Sequence, residues 1–106
     1  MSNSNKIYRL KLSDEAVKDI DEYIDHIRYT YDAPLAAIRH YAGLTEVINS
    51  LRRFPYRHSI QTGASFFRYG VNVRRINYKK MAIIYTVSGD TVYIHRVIPS
   101  SLITSI

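Results

Sequence analysis

The sequence predicts an α+β domain in the order β-α-α-β-β-β, with a helical hairpin packed on one face of a mostly antiparallel sheet. Two observations carry this prediction. Apolar residues recur at helical spacing in the first half of the chain, whereas the second half holds three short strand segments, the last two joined by a tight turn. With 106 residues, the whole chain, 1–106, has the length of a single domain.

The first strand and the first helix follow each other directly. Residues 6–12 alternate between apolar and polar side chains, which predicts a half-buried strand. Ser13 stands where an N-cap belongs, and Asp14 and Glu15 follow in the first turn, where carboxylates suit the helix dipole. The next apolar residues recur at helical spacing and predict a helix that runs to Tyr31. They are Val17, Ile20, Tyr23, Ile24, Ile27 and Tyr31.

The second helix is predicted to begin at Pro34, with Asp32 as its cap. A second apolar stripe predicts that it continues to Phe54, where Pro55 ends it. Its members are Ile38, Tyr41, Leu44, Ile48, Leu51 and Phe54. Gly43 inside this stripe costs about 1 kcal/mol relative to alanine. The short link between the helices predicts an antiparallel hairpin.

Three strands are predicted after a loop at residues 55–65, which has no periodicity. They cover residues 67–76, 81–87 and 91–98, and Pro99 ends the ladder. Ser88-Gly89-Asp90 joins the last two strands in a tight hairpin. Four tyrosines on apolar faces are expected in the core: Tyr8, Tyr23, Tyr41 and Tyr85.

Charge is distributed unevenly along a chain whose net charge is +6. Residues 1–32 hold five Lys/Arg and seven Asp/Glu, a balance of −2, whereas residues 33–106 hold ten and two, a balance of +8. This asymmetry favours a nucleic acid or an acidic protein as the partner of the second half. The alternative is a set of solvated charges on an ordinary basic protein.

Several classes of protein are excluded by what the sequence lacks. There is no cysteine, which excludes a disulfide scaffold and a cysteine nucleophile. The four histidines lie in different predicted elements without metal-ligand spacing, and no glycine-rich phosphate motif is present. We therefore expect no metal and no cofactor. No apolar leader and no run of about 20 apolar residues is visible, so we expect a cytoplasmic protein without a membrane segment.

The last predicted strand supplies part of a candidate catalytic site. Neighbouring residues on a strand point to opposite faces. If Val92 and Ile94 face the helices, Arg96 follows them near the end of the strand, whereas Tyr93 and His95 face outward. His95 is thereby expected on the outer face of the sheet.

Four further basic residues lie on or beside the second predicted strand. Arg74 and Arg75 must point to opposite faces, so only one of them shares the outer face with His95. Lys79 and Lys80 are expected at the turn between the second and third strands. At an RNA 2′-hydroxyl, histidine, lysine or tyrosine can move protons and arginine can stabilise the phosphate transition state. The alternative is an exposed sheet face that charge keeps from aggregating.

Three segments carry a family resemblance. They are YRLKLSDEAVKDIDEYI at the start, LRRFP at the end of the second helix, and AIIYTVSGDTVYIHRVI in the last two strands. In their order and spacing, the chain resembles the RelE/ParE superfamily of bacterial type II toxins over nearly its whole length. The resemblance implies a growth-arresting toxin, held inactive by an antitoxin that wraps around it. RelE-like members cut mRNA on the ribosome, and ParE-like members poison DNA gyrase.

The resemblance also implies roles for individual residues. The family's second-strand arginine corresponds to Arg74 or Arg75, its third-strand tyrosine to Tyr85, and the fourth-strand arginine of ParE-like members to Arg96. Together with the basic residues above, the candidate catalytic set is Arg74, Arg75, Lys79, Lys80, Tyr85, His95 and Arg96.

Two departures from the family pattern weaken the ribonuclease interpretation. Met81-Ala82 stands where family members often have Tyr-Arg, and Pro99-Ser100-Ser101 stands where nucleolytic relatives have His, Tyr or Arg. These departures and the long hairpin favour a ParE-like inhibitor of gyrase. The basic cluster favours a ribosome-dependent mRNA endonuclease instead. A third hypothesis is an inactive family member that only binds its antitoxin.

All three hypotheses predict a cognate antitoxin in a hetero-oligomer, and contact with operator DNA only through that antitoxin. An apolar groove beside the helices, with basic residues on its rim, would suit an acidic amphipathic segment. The candidate antitoxin-binding cations are Arg9, Arg39, Arg52 and Arg53. The alternative is that these four side chains are simply solvated.

Overall fold

Two helices pack on one face of a four-stranded sheet in the computed structural model, which describes residues 6–103. The helices are α1 (Asp14–Asp25) and α2 (Pro34–Ser50). The strands are β1 (Arg9–Leu12), β2 (Arg74–Tyr78), β3 (Met81–Ser88) and β4 (Thr91–Pro99), in the spatial order β1-β4-β3-β2. Two of the three pairings are antiparallel, and β1 runs parallel to β4. The predicted fold class and element order are confirmed.

The main core lies between the sheet and the helices. Its most deeply buried members come from α2, β3, β4 and the turn after α2: Leu44, Leu51, Ile83, Tyr85, Val92, Ile94 and Val97. Each apolar side chain of this size stabilises the fold by about 1.5–3 kcal/mol when it is fully buried. A smaller cluster of Phe66, Val73, Ala82 and Ile84 lies on the opposite side of the sheet, which we call the outer face.

Both helices leave part of their predicted apolar stripe outside the core. Ile20, Ile24 and Ile27 are buried as predicted, but five other members are about half exposed or more: Val17, Tyr31, Ile38, Tyr41 and Phe54. The prediction that Tyr41 lies in the core is therefore wrong. The reason is that α1 packs mainly against β4 and meets α2 along only part of its length, so Tyr41 lines an open groove.

The link between the helices differs from the prediction. After Asp25 the chain continues as a π-helical turn, His26–Thr30. Asp32 does not cap α2, because it adopts a left-handed φ of 49° and Ala33 takes the N-cap position without a side-chain hydrogen bond. Pro34 occupies the first helical turn as predicted.

Three other boundaries move. The first strand begins at Arg9 rather than at residue 6, and α2 ends at Ser50 rather than at Phe54. Residues 64–69, part of which was predicted as strand, form a 3₁₀ segment (Ala64–Tyr69), so β2 begins only at Arg74. Aromatic residues such as Phe67 and Tyr69 favour strands in general, but tertiary packing decides here. Within residues 6–103, no helix is long and apolar enough to cross a membrane.

Candidate functional site

A β-bulge in β4 sets the geometry of the predicted catalytic strand. Ile84 of β3 pairs with Arg96, whereas the next residue, Tyr85, pairs with Ile94, so His95 is the extra residue. Val97 rather than Arg96 therefore continues the buried row that Ile94 belongs to. The expectation that Arg96 follows this row is wrong, because the bulge shifts the alternation by one residue.

Arg96 joins β4 to α1. Its Nε and Nη2 donate to the two carboxylate oxygens of Asp19 at 2.7 and 3.0 Å, and its Nη1 lies 3.9 Å from the Glu15 carboxylate. Asp19 also accepts the backbone N–H of Val97 at 2.9 Å. Hydrogen bonding to Asp19 raises the pKa of Arg96 above its ordinary value. This guanidinium is engaged within the fold and is poorly placed to meet a substrate phosphate.

His95 faces outward, as predicted, but it is covered. Its ring stacks on Tyr69, with centroids 5.3 Å apart and an interplanar angle of 26°, and its Nε2 lies 2.8 Å from the Thr86 hydroxyl. Burial lowers the pKa of His95, so the ring is neutral at pH 7. The 3₁₀ segment that supplies Tyr69 also packs Phe66 on the outer face. The outer face of the sheet, which was expected to be open and cationic, is therefore partly covered by Phe66 and Tyr69.

The two neighbouring arginines of β2 point to opposite faces, as predicted. Arg75 pairs with Ile84 and so lies on the outer face, where its Nε donates to the Asn77 side-chain oxygen at 2.9 Å. Arg74 pairs with Tyr85 on the helix side. Its Nη1 donates to the backbone oxygen of His58 at 2.6 Å. Arg74 thus holds the loop that follows α2 against the sheet.

Tyr85 belongs to the core. Its side chain has no exposed surface, and its hydroxyl donates to the backbone oxygen of Pro55 at 2.6 Å. Burial raises its pKa to about 12, so the hydroxyl keeps its proton. The catalytic role that the family resemblance implies for Tyr85 would require this side chain to leave the core.

Lys79 and Lys80 form the turn between β2 and β3, as predicted. Their side chains line a cavity beside the helices together with Tyr23 and His40, and none of the residues that line it is His95 or Arg75. The proposed catalytic cluster is therefore divided among separate surfaces of the molecule.

A cleft of about 360 Å³, the cationic cleft, lies beside the β2 edge. It is lined by Arg57, His58, Ser59, Gln61, Arg75 and Asn77. Burial, Arg57 and Arg74 together lower the pKa of His58. Of these residues, only Arg75 was predicted, because the loop carries no periodicity. The basic pair Arg57-His58 directly after LRRFPY was the one available signal.

A helical groove of about 580 Å³ lies between α1, α2 and β1. Its apolar lining includes Leu10, Leu12, Val17, Ile20, Tyr41 and Ile48, and its polar lining includes Asp21 and Glu46. An apolar groove of this kind is a suitable seat for an amphipathic helix.

None of the four predicted rim cations is among the residues that line the groove. Arg9 is on β1 and lies 3.7 Å from Asp90, and the Nε of Arg52 donates to the backbone oxygen of Tyr8 at 3.2 Å. Arg39, on α2, and Arg53, just after it, are exposed.

Comparison with known proteins identifies the family. A model of the ParE toxin of type II toxin–antitoxin systems, parDE, matches residues 10–102. Among solved structures, the chain is similar to one from the chromosomal ParDE toxin–antitoxin system of P. aeruginosa, with a TM-score of 0.72 and 18% sequence identity, covering 90% of this chain and 98% of that one. No curated protein sequence matches significantly. The structural likeness agrees in fold, and the family model spans most of the chain, which therefore belongs to the ParE toxin family of type II toxin–antitoxin systems.

Proposed function

We propose that this toxin arrests growth by binding DNA gyrase and inhibiting it, rather than by cutting RNA. Family membership makes the chain the toxin of a toxin–antitoxin pair, with an antitoxin as its partner. Poisoning of gyrase is what the ParE-like branch implies. The observation that carries the proposal is the dispersal of the groups that an RNA-cleaving site would need.

Three of these groups are engaged elsewhere in the fold. His95 is neutral and stacked beneath Tyr69, and the Tyr85 hydroxyl is buried on Pro55. Arg96 is held by Asp19. General acid–base catalysis needs groups within hydrogen-bond reach of one substrate atom, and these three do not share an open site.

The first test is a supercoiling reaction with purified gyrase and relaxed plasmid. We expect the toxin to inhibit supercoiling, and we expect the antitoxin to restore it. His95→Gln should inhibit as strongly as the wild type, because the ring is not needed for contact with a protein target. Undiminished supercoiling at saturating toxin would overturn the proposal.

Pulse-labelling after induction gives the matching result in cells. DNA synthesis should fall before protein synthesis within minutes of inducing the toxin alone. The reverse order would point to the ribosome. Normal growth with folded toxin present would favour an inactive member that only binds its antitoxin.

The second candidate function is a ribosome-dependent mRNA endonuclease, and the cationic cleft is the observation that favours it. Arg57 and Arg75 line the cleft, and none of its lining residues within the described chain is Asp or Glu. Arginine forks bind phosphate oxygens in this way. If this function holds, Arg57→Ala/Arg75→Ala should abolish mRNA cleavage on ribosomes. The control Lys11→Ala/Arg28→Ala removes the same charge from exposed positions outside the cleft and should leave cleavage intact.

For neutralisation, we propose that an amphipathic helix of the antitoxin lies in the helical groove. Val17, which is 46% exposed, and Tyr41, which is 51% exposed, offer apolar surface there. We further propose that acidic residues of the same antitoxin segment pair with Arg9, Arg39, Arg52 and Arg53.

Substitution within the groove tests this contact. Val17→Glu should weaken antitoxin binding by about tenfold or more, because it places a charge in an apolar contact. Val71→Glu is the matched control, since Val71 is 83% exposed and lies outside the groove. Equal affinities for the two variants would contradict the assignment.

A further inference from the structure

A cavity of about 520 Å³ opens where the π-helical turn, the start of α2 and the β2–β3 turn meet. Its floor is apolar and includes Ile27, Ala33 and Ala36. Small-molecule sites have volumes of roughly 300–1,000 Å³ and combine an apolar lining with a few placed polar groups. This cavity fits that description, and it shares no lining residue with the helical groove or the cationic cleft.

Two tyrosine–histidine pairs are among the lining residues of the cavity. The Tyr23 hydroxyl lies 2.7 Å from Nδ1 of His40, and the two rings meet edge to face with centroids 5.8 Å apart. His26 and Tyr31 meet edge to face at 5.2 Å. The lining thus offers flat ring surfaces and ring nitrogens, which suit stacking and hydrogen bonding with a planar aromatic group.

Two cations complete the lining. Lys79 and Lys80 stand side by side at the tip of the β2–β3 turn and line the cavity. None of the described residues that line the cavity is Asp or Glu, so its charge is uncompensated there. Lysine ammonium groups bind phosphate and carboxylate oxygens as point charges. The cavity therefore favours an anionic group on its lysine side.

The backbone around the cavity is unusual in three places. His26 and Ile27 belong to the π-helical turn, a rare conformation that is frequent at functional sites. Asp32 and Lys79 both have left-handed φ values, 49° and 52°. Non-glycine residues take such values where the surrounding structure holds them, and they cluster at binding sites.

We propose that this cavity binds a small anion carrying a flat aromatic ring, of the chemical class of nucleoside monophosphates. The ring lies between the two tyrosine–histidine pairs, and the anionic group lies on Lys79 and Lys80. Binding at this site requires neither gyrase nor the antitoxin, so a failure of the proposed function would leave this proposal untouched, and the reverse also holds.

Titration of the full ¹⁵N-labelled chain with AMP tests the proposal. AMP should shift the amide signals of residues in and beside the cavity in a saturable way, namely residues 23, 26–33, 35, 36, 40, 79 and 80. Adenosine lacks the anion and inorganic phosphate lacks the ring, so the affinity of each should be lower than that of AMP by about tenfold or more. Shifts elsewhere, no shifts, or an affinity for phosphate equal to that for AMP would overturn the proposal.

Matched lysine variants separate a built site from general attraction to a basic protein. Lys79→Ala/Lys80→Ala should weaken AMP binding by about tenfold or more. Lys11→Ala/Lys18→Ala removes the same charge from exposed positions outside the cavity and should leave the affinity unchanged. Equal weakening in both variants would overturn the assignment. Ala36→Leu, which fills the floor without changing charge, should weaken AMP binding while the amide spectrum stays folded.

Discussion

The ring of Tyr78 occupies the space that a β-carbon at Gly43 would fill. A Cβ built on Gly43 would lie 2.7 Å from Cε1 and 2.8 Å from Cζ of Tyr78, closer than unbonded carbon atoms approach. The glycine that helix propensity marks as unfavourable is thus the residue that lets the end of β2 pack against α2. Its place in the helix is explained by a neighbour from a distant part of the chain.

Gly43→Ala should lower the free energy of unfolding by about 1–3 kcal/mol, because overpacking outweighs the gain in helix propensity. In a Tyr78→Ala background the same substitution should raise it by about 1 kcal/mol, because the clash is gone and only the propensity gain is left. Urea unfolding of the wild type, the two single variants and the double variant measures whether the effect of Gly43→Ala on stability changes sign. A stabilising effect in both backgrounds would show that Tyr78 does not constrain residue 43.

Asp19→Ala should lower the free energy of unfolding by about 2–4 kcal/mol, because it removes both hydrogen bonds from Arg96 to Asp19 and leaves the Val97 N–H without an acceptor. Glu15→Ala is the control. Glu15 also faces Arg96, but at 3.9 Å and with a side chain that is 73% exposed, so its loss should cost less than about 1 kcal/mol. Urea unfolding compares the two variants, and similar losses would refute a specific role for Asp19.

Tyr85→Phe should remove a buried hydrogen bond, and it should also remove the loss of stability that ionisation of Tyr85 causes at high pH. Burial raises the pKa of Tyr85 from 10.0 to about 12, so the folded state keeps a proton that the unfolded state releases first. The resulting stability, about 2–3 kcal/mol, is fully present below pH 10 and is lost as the pH rises through about 12. Denaturant unfolding should show the wild type losing stability relative to Tyr85→Phe in this range. A constant difference would count against the raised pKa.

Protonation of His95 should destabilise the fold. Burial lowers its pKa below the ordinary 6.5, so its contribution is present above pH 6.5 and is lost as the pH falls through the folded-state pKa. His95→Gln should retain a contact with Thr86 and show a weaker loss of stability in acid. An NMR titration of the ring protons gives the direct measurement. A midpoint above 6.5 would contradict the covered, neutral ring.

Local signals made much of the fold predictable. Ser13 accepts the N–H of Ala16 at 3.0 Å, as a predicted N-cap should, and Gly89 takes a positive φ of 60° in the predicted hairpin. The alternation of β4 indicated that Val92 and Ile94 face the helices, and both lie in the core. In each case a few consecutive residues contain the whole determinant, so a pattern in the sequence is enough.

The candidate site was less predictable because its determinants are tertiary. Phe66 and Tyr69, which cover part of the outer face, belong to a 3₁₀ segment. Its high content of aromatic residues is typical of a strand, so the sequence pattern did not indicate this cover. The bulge at His95 is visible in the sequence. The spacing of the buried apolar residues changes from two positions, Val92 to Ile94, to three positions, Ile94 to Val97. The bond between Arg96 and Asp19 spans 77 positions and leaves no local trace.

The pairing of β1 with β4 has a consequence for synthesis. Arg9–Leu12 is made before β2, β3 and β4, but its only hydrogen-bonded strand partner among the described residues is Thr91–Ile94. Contacts of such long sequence separation form late, because the loop between them must close first. A nascent chain that has not yet reached Thr91 therefore lacks one edge of its sheet and the strand against which α1 packs. Synthesis of β4 therefore precedes a finished toxin surface.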